Sequence, residues 1–174
     1  MKKRVSLFLL FSIILSGCMN QVQIAPSDDY KEFNETVEDY FFATVSKDYY
    51  TMKQYVSDEV LKESNSLKEA KEGDSPHDPR MLEEMGDRYS ITGFDYFYDE
   101  HDEIYYLIEY YNYESGNESP LIFAVKKKGD DYILMNGFGR YVKYSEFGST
   151  VKPSHLREAM EQYPEHVFVV KEYP

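Results

Sequence analysis

The chain has 174 residues and a formal net charge of −13, from 19 Lys and Arg against 32 Asp and Glu. This acidic balance argues against nucleic acid as a partner and against peripheral binding to anionic lipids, because both need basic patches. The chain contains 18 tyrosines, no tryptophan and one cysteine. No internal disulfide can form, so the fold must depend on an apolar core.

The first 17 residues have the layout of a secretory signal. Three basic residues at positions 2–4 precede an apolar run over residues 5–15. At about 1.5 Å per residue this run is too short to span a bilayer core of about 30 Å. The next four residues, 15–18 (LSGC), resemble the lipobox of bacterial lipoproteins. The resemblance implies that the Gly17–Cys18 bond is cleaved and that the Cys18 sulfur carries a diacylglyceryl group with palmitate-like chains. An ordinary signal peptide followed by an unrelated cysteine is the alternative.

This resemblance predicts a protein held at the extracytoplasmic face of the cell membrane by the lipid on Cys18. Two acyl chains make such anchoring durable, whereas one chain gives only marginal binding. Removal of residues 1–17 deletes three basic and no acidic residues and lowers the net charge from −13 to −16, so the domain itself is repelled by anionic headgroups. Residues 18–27 show no period and include Pro26, which indicates a short lipidated tether.

Residues 28–174 predict a single domain that begins with helices. Apolar residues recur at helical spacing over residues 33–45 and 49–56, with a tight joint over residues 46–48. Ser57 is expected to cap a short third helix. Gly and Pro over residues 68–80 indicate a loop, and residues 81–85 one further helical turn.

From residue 89 the apolar period changes to two. This predicts strands over residues 89–98, 103–113, 120–128 and 131–137, joined by short polar turns as an antiparallel meander. Residues 153–163 predict another helix, and residues 166–173 another strand. The order indicates an α+β fold in which N-terminal helices pack on a curved antiparallel sheet of four or more strands.

The order of elements over residues 28–138 resembles the nuclear transport factor 2-like fold, a curved sheet wrapped on a long helix to form a cone. The resemblance is one of topology, and it implies an internal cavity in which enzymes of this fold use an acidic residue or a histidine as a general base. Residues 139–174 depart from it as a C-terminal helix–strand extension, which either lengthens the sheet edge or plugs the mouth of the cone.

Two sets of residues are candidates for function. Asp95 shares strand parity with Ile91 and is expected to point into the cavity as a general base, although the same parity fits a half-buried face without catalysis. Tyr106, Tyr110 and Phe123 are expected to form an aromatic face that contacts a ligand; the alternative is that they are core residues.

No metal or cofactor site is predicted. The four histidines lack the i, i+4 spacing of a helical zinc pair and lie at His77, His101, His155 and His166. The segment YDEHDE over residues 98–103 gathers four carboxylates and a histidine. It lacks the spacing of a calcium loop and is typical of a charged turn.

These observations predict a non-catalytic binding or interaction module of the bacterial cell envelope, with an envelope protein or a small ligand as its partner. One alternative is a small cone-fold hydrolase or isomerase that works through Asp95. The other is a purely structural accessory of the envelope.

Overall fold

The computed structural model describes residues 30–73, 77–143, 146–147 and 150–174. The predicted signal peptide, Gly17, Cys18 and the tether lie outside the described residues. Within the described part, the strands are β1 (Tyr89–Phe94), β2 (Glu103–Asn112), β3 (Asn117–Lys128), β4 (Asp131–Leu134) and β5 (Val167–Lys171). The α-helices are α1 (Lys31–Val45), α2 (Tyr49–Tyr55), α3 (Asp58–Glu63), α4 (Asn65–Glu69), α5 (Arg80–Met85), α6 (Tyr98–His101) and α7 (Pro153–Gln162).

The strands form one curved, unclosed antiparallel sheet in the order β4-β3-β2-β1-β5. The predicted α+β fold, with N-terminal helices on a curved antiparallel sheet and a C-terminal helix–strand extension, is confirmed. The extension lengthens the sheet edge, because β5 pairs with β1. There Phe168 packs so closely over Gly93 that a Cβ on Gly93 would lie 2.1 Å from its ring. The finer likeness to a nuclear transport factor 2-like cone stays a prediction.

Helix α1 lies on one face of the sheet because its apolar side chains recur every three or four residues. Its buried residues are Phe33, Val37, Tyr40, Phe41, Ala43 and Val45. Alternate residues of β1, β2 and β3 face them and complete the first core: Ile91, Ile104, Tyr106, Ile108, Tyr110, Leu121, Phe123 and Val125. The aromatic face of the sheet is therefore covered by a helix.

The opposite face of the sheet is covered by α7. Tyr105 and Leu107 of β2 pack there with Leu156 and Met160 of the helix. With both faces covered, residues 104–108 are all buried, which is why this stretch reads as a nearly continuous apolar run with little polar alternation.

Several predicted boundaries are wrong. Strand β1 ends at Phe94 and not at residue 98, because residues 98–101 form α6 in place of a hairpin turn, and Asp102 ends that helix in the left-handed conformation at φ 54°. Strand β3 begins at Asn117, three residues earlier than predicted. Strand β4 ends at Leu134 and not at residue 137. Helix α4 was not predicted, although the Ser64 side chain caps it by accepting a hydrogen bond from the Leu67 amide at 3.3 Å.

Candidate functional site

Two of the three predicted ligand residues lie beneath α1. Tyr106 and Phe123 are both fully buried. The Tyr106 hydroxyl donates a hydrogen bond to Asn34 Oδ1 at 2.9 Å, and the Phe123 ring packs edge-on against Tyr40 with centroids 5.3 Å apart. A ligand that reached either ring would have to displace α1. Tyr110 packs on α1 too, but it also borders an open cleft.

Asp95 follows the end of β1 and joins three elements. Its carboxylate accepts a hydrogen bond from the Tyr30 hydroxyl at 2.9 Å, and its Oδ1 lies 2.9 Å from His166 Nδ1. The Asp95 amide donates to the His166 carbonyl at 3.0 Å. Burial and the neighbouring carboxylate raise the pKa of Tyr30, which keeps the phenol a donor. This geometry gives Asp95 a role in holding the start of α1 and β5 to the sheet, and its use as a base stays a prediction.

The cleft lies at the far end of α1 and has a volume of about 800 Å³. Its walls come from the C-terminal end of α1, helices α2 and α3, the turn-proximal ends of β2 and β3, and residues 135–143. This volume is in the range of small-molecule sites, which is roughly 300–1,000 Å³.

One wall of the cleft is a segment over residues 136–141 (NGFGRY), here called the pinned loop. It runs back along β3 without being a regular strand. Asn136 is buried, and its side chain takes the place of a strand backbone: Oδ1 accepts from the Ala124 amide at 3.1 Å, and Nδ2 donates to the Ile122 carbonyl at 2.7 Å. Because the Asn136 side chain makes these bonds in place of strand backbone, regular pairing with β3 stops at Leu134 while the chain stays against the sheet.

Two further contacts hold the same loop. The Tyr40 hydroxyl of α1 donates to the Gly137 carbonyl at 2.6 Å, and burial raises the pKa of Tyr40, so the group remains a donor. The Gly139 carbonyl accepts from the Ile122 amide at 2.7 Å. Gly139 itself has a φ of +69°, and a Cβ there would lie 2.9 Å from Phe123 Cζ. The loop is therefore fixed against the core at three of its residues, Asn136, Gly137 and Gly139.

The pinned loop turns its remaining side chains outward. Phe138 is 39% exposed and Tyr141 is 49% exposed, and both line the cleft with Arg140. Phe138 packs edge-on against Tyr49 of α2 with ring centroids 5.8 Å apart. Large exposed aromatic side chains on a rigid backbone are typical of binding sites, because little conformational freedom is lost when a ligand covers them.

The charges around the cleft are mostly paired. Lys47 Nζ lies 2.6 Å from Glu114 Oε1, and this hydrogen bond raises the pKa of Lys47. Lys143 Nζ lies 2.5 Å from Glu63 Oε1. Arg140 makes no hydrogen bond or ion pair with any residue that the structure describes. The described lining residues thus carry three cations and two carboxylates, and the cation left over is the guanidinium of the pinned loop.

The pinned loop was missed by sequence reasoning. The predicted boundary between the cone-like core, residues 28–138, and the extension falls inside it. The available signal was the alternation of glycine with an aromatic residue and an arginine in Gly137-Phe138-Gly139-Arg140. Glycines at these positions let the backbone approach the core while the neighbouring side chains remain outside.

A buried carboxylate lies on the α7 side of the sheet. Glu103 is 1% exposed; its Oε2 is 3.6 Å from Lys126 Nζ, and its Oε1 has no hydrogen-bond partner among the described residues. Burial raises the pKa of Glu103, and the Tyr105 hydroxyl and Lys126 offset this only in part. Between residues 30 and 174, in the parts described, no cluster of three or more His, Asp and Glu side chains is arranged to hold a metal ion.

None of the helices in the described part of the chain combines the length and the hydropathy that a bilayer crossing needs. Compared with known proteins, the chain matches no family model, no curated protein and no solved structure at a significant level.

Proposed function

We propose that this protein is a membrane-anchored, non-catalytic binding module of the bacterial cell envelope and that its ligand occupies the cleft beside the pinned loop. The observation that carries the proposal is the combination of a backbone fixed to the core with outward side chains, Phe138, Arg140 and Tyr141, of which the last two have no polar partner that the structure describes. Such a surface is preorganised for binding, since the loop needs no ordering when the ligand arrives.

The first described residue, Tyr30, and the cleft lie at opposite ends of α1. A tether that starts at Cys18 enters the domain at Tyr30, next to Asp95, whereas the cleft begins at Thr44. The 15 residues of α1 separate these ends by about 22 Å at 1.5 Å per residue. An anchor on Cys18 would thus join the domain at the end of α1 that is farther from the cleft.

The geometry around Asp95 supports a structural role for this residue and so favours a non-catalytic module over the cone-fold enzyme. Its carboxylate is already engaged by the Tyr30 hydroxyl and by His166. A general base needs a position within hydrogen-bond reach of the proton that it removes. The groups within hydrogen-bond reach of Asp95 are Tyr30 and His166, and these contacts hold the starts of α1 and β5 to the sheet.

Site-specific photo-crosslinking in the native envelope tests the proposal. A photoreactive amino acid replaces Tyr141 at the cleft or Tyr96, which is 42% exposed at the other end of the sheet. We expect an adduct of defined mass from position 141 that is lost when Phe138 is changed to Ser in the same chain. Equal adducts from positions 141 and 96, or no adduct from position 141, would contradict a binding role for the cleft.

A further inference from the structure

We infer that the cleft binds a small monocarboxylic acid with an apolar or aromatic body, whose carboxylate pairs with Arg140. The inference rests on the proposed function, because it names the chemical class of the ligand at the same site.

The guanidinium of Arg140 is the group in the cleft that would hold an anion. Lys47 and Lys143 are each neutralised by a glutamate at 2.6 Å and 2.5 Å, while Arg140 has no partner among the described residues. Guanidinium binds carboxylate through two parallel hydrogen bonds, which are stronger than hydrogen bonds between neutral groups. The cleft therefore offers one place where an anion gains a strong contact without displacing an existing ion pair.

The charge balance selects the kind of anion. Three cations against two carboxylates leave one net positive charge on the described lining of the cleft. A monoanion neutralises it. A phosphate monoester carries nearly two negative charges at neutral pH, and on the described lining its second charge would meet only lysines that a glutamate already pairs.

The aromatic wall selects the body of the ligand. Tyr49, Phe138 and Tyr141 all line the cleft, and the last two are more than one-third exposed. Covering such rings with apolar atoms is favourable by about 25 cal/mol per Å² of apolar surface removed from water. Because Phe138, Arg140 and Tyr141 are near neighbours on one rigid loop, a single small molecule can contact the guanidinium and the rings together.

Titration of the ¹⁵N-labelled domain with three probes tests the inference by NMR. The probes are 3-phenylpropionate, the neutral 3-phenylpropan-1-ol, and phenyl phosphate. We expect millimolar 3-phenylpropionate to shift the Arg140 side-chain Nε–H resonance and the amides of the pinned loop, with a dissociation constant lower than that of the alcohol by about tenfold or more. Phenyl phosphate at neutral pH should bind more weakly than the carboxylate.

Two variants show whether Arg140 causes the difference. Arg140→Gln should make the acid and the alcohol bind alike. Because its side chain is exposed, the melting temperature should not change. Arg157→Gln removes the same charge on the other face of the sheet, where Arg157 pairs with Glu109 at 2.6 Å, and should keep the preference for the acid.

Three results would overturn the inference. These are equal binding of acid and alcohol by the wild-type protein, tighter binding of phenyl phosphate than of the acid, and a preference for the acid that survives Arg140→Gln. Absence of any shift with 3-phenylpropionate would also reject a small acid as the ligand. A Tyr141 crosslink to a protein would then still leave the cleft as a binding site.

Discussion

Replacing Gly139 with alanine tests whether the pinned loop is held against the core. Gly139 has a φ of +69°, and an added methyl group would lie 2.9 Å from Phe123 Cζ and 3.0 Å from Leu121 Cβ and Cδ2. The left-handed conformation costs a residue with a Cβ about 1–2 kcal/mol. Forcing a methyl group into a packed core costs about 1–3 kcal/mol more. We expect Gly139→Ala to lower the free energy of unfolding by about 2–5 kcal/mol.

Gly129→Ala is the matched control for this substitution. Gly129 has nearly the same φ, +67°, but nothing lies within 4 Å of an added Cβ. It should cost only the conformational part, about 1–2 kcal/mol. The difference between the two variants isolates the close approach of the loop to Phe123 and Leu121.

Urea-induced unfolding followed by far-UV circular dichroism gives both free energies of unfolding. Gly139→Ala should also weaken binding at the cleft, because relief of the overlap moves Phe138 and Arg140 outward, whereas Gly129→Ala should leave binding unchanged. Equal destabilisation by the two variants would refute the reasoning, since the loop would then not be seated on the core.

Three further predictions concern other parts of the molecule. Burial holds the folded-state pKa of Glu103 above its unfolded value. The stabilising contribution of Glu103 is therefore fully present below about pH 4.3 and is lost as the pH rises through the raised pKa. In urea unfolding, Glu103→Gln should gain stability relative to wild type between pH 4 and pH 8, and parallel pH profiles of the two proteins would count against this prediction. In a double-mutant cycle, Tyr30→Phe and Asp95→Ala should show a coupling of about 1–2 kcal/mol, because Tyr30 donates to Asp95 at 2.9 Å; simple additivity would show that this bond does not stabilise the fold. Cys18→Ala should abolish labelling by a radioactive fatty acid in growing cells, and a label that persists would reject the lipobox assignment.

Much of the fold follows from local patterns in the sequence. The helical spacing from Phe33 onward and the tight joint before Tyr49 predict α1 and α2, because a buried helix face repeats every three or four residues. The change to a period of two predicts the four consecutive strands. Sequence reasoning did not decide where the C-terminal strand pairs, since the pairing with β1 depends on the fit of Phe168 over Gly93, which lie 75 positions apart.

The candidate site was less predictable for a related reason. Strand parity correctly places Tyr106, Tyr110 and Phe123 on one face, but parity does not tell whether a helix fills the space above that face. The Tyr40 and Phe41 side chains of α1 do so. The cleft depends on Asn136 standing in for strand backbone and on the closeness of Gly139 to Phe123, and both are contacts between distant segments that leave no periodic signal.

Native mass spectrometry of the protein, extracted from its own envelope in mild detergent, would test most directly whether an anchored domain holds a ligand in this cleft. We predict a covalent lipid mass on a chain that begins at Cys18, together with a non-covalently bound molecule that is absent from the Phe138→Ser, Tyr141→Ser double variant. Identical spectra for the wild type and the double variant, with no bound molecule or with the same one, would contradict a binding role for the pinned loop.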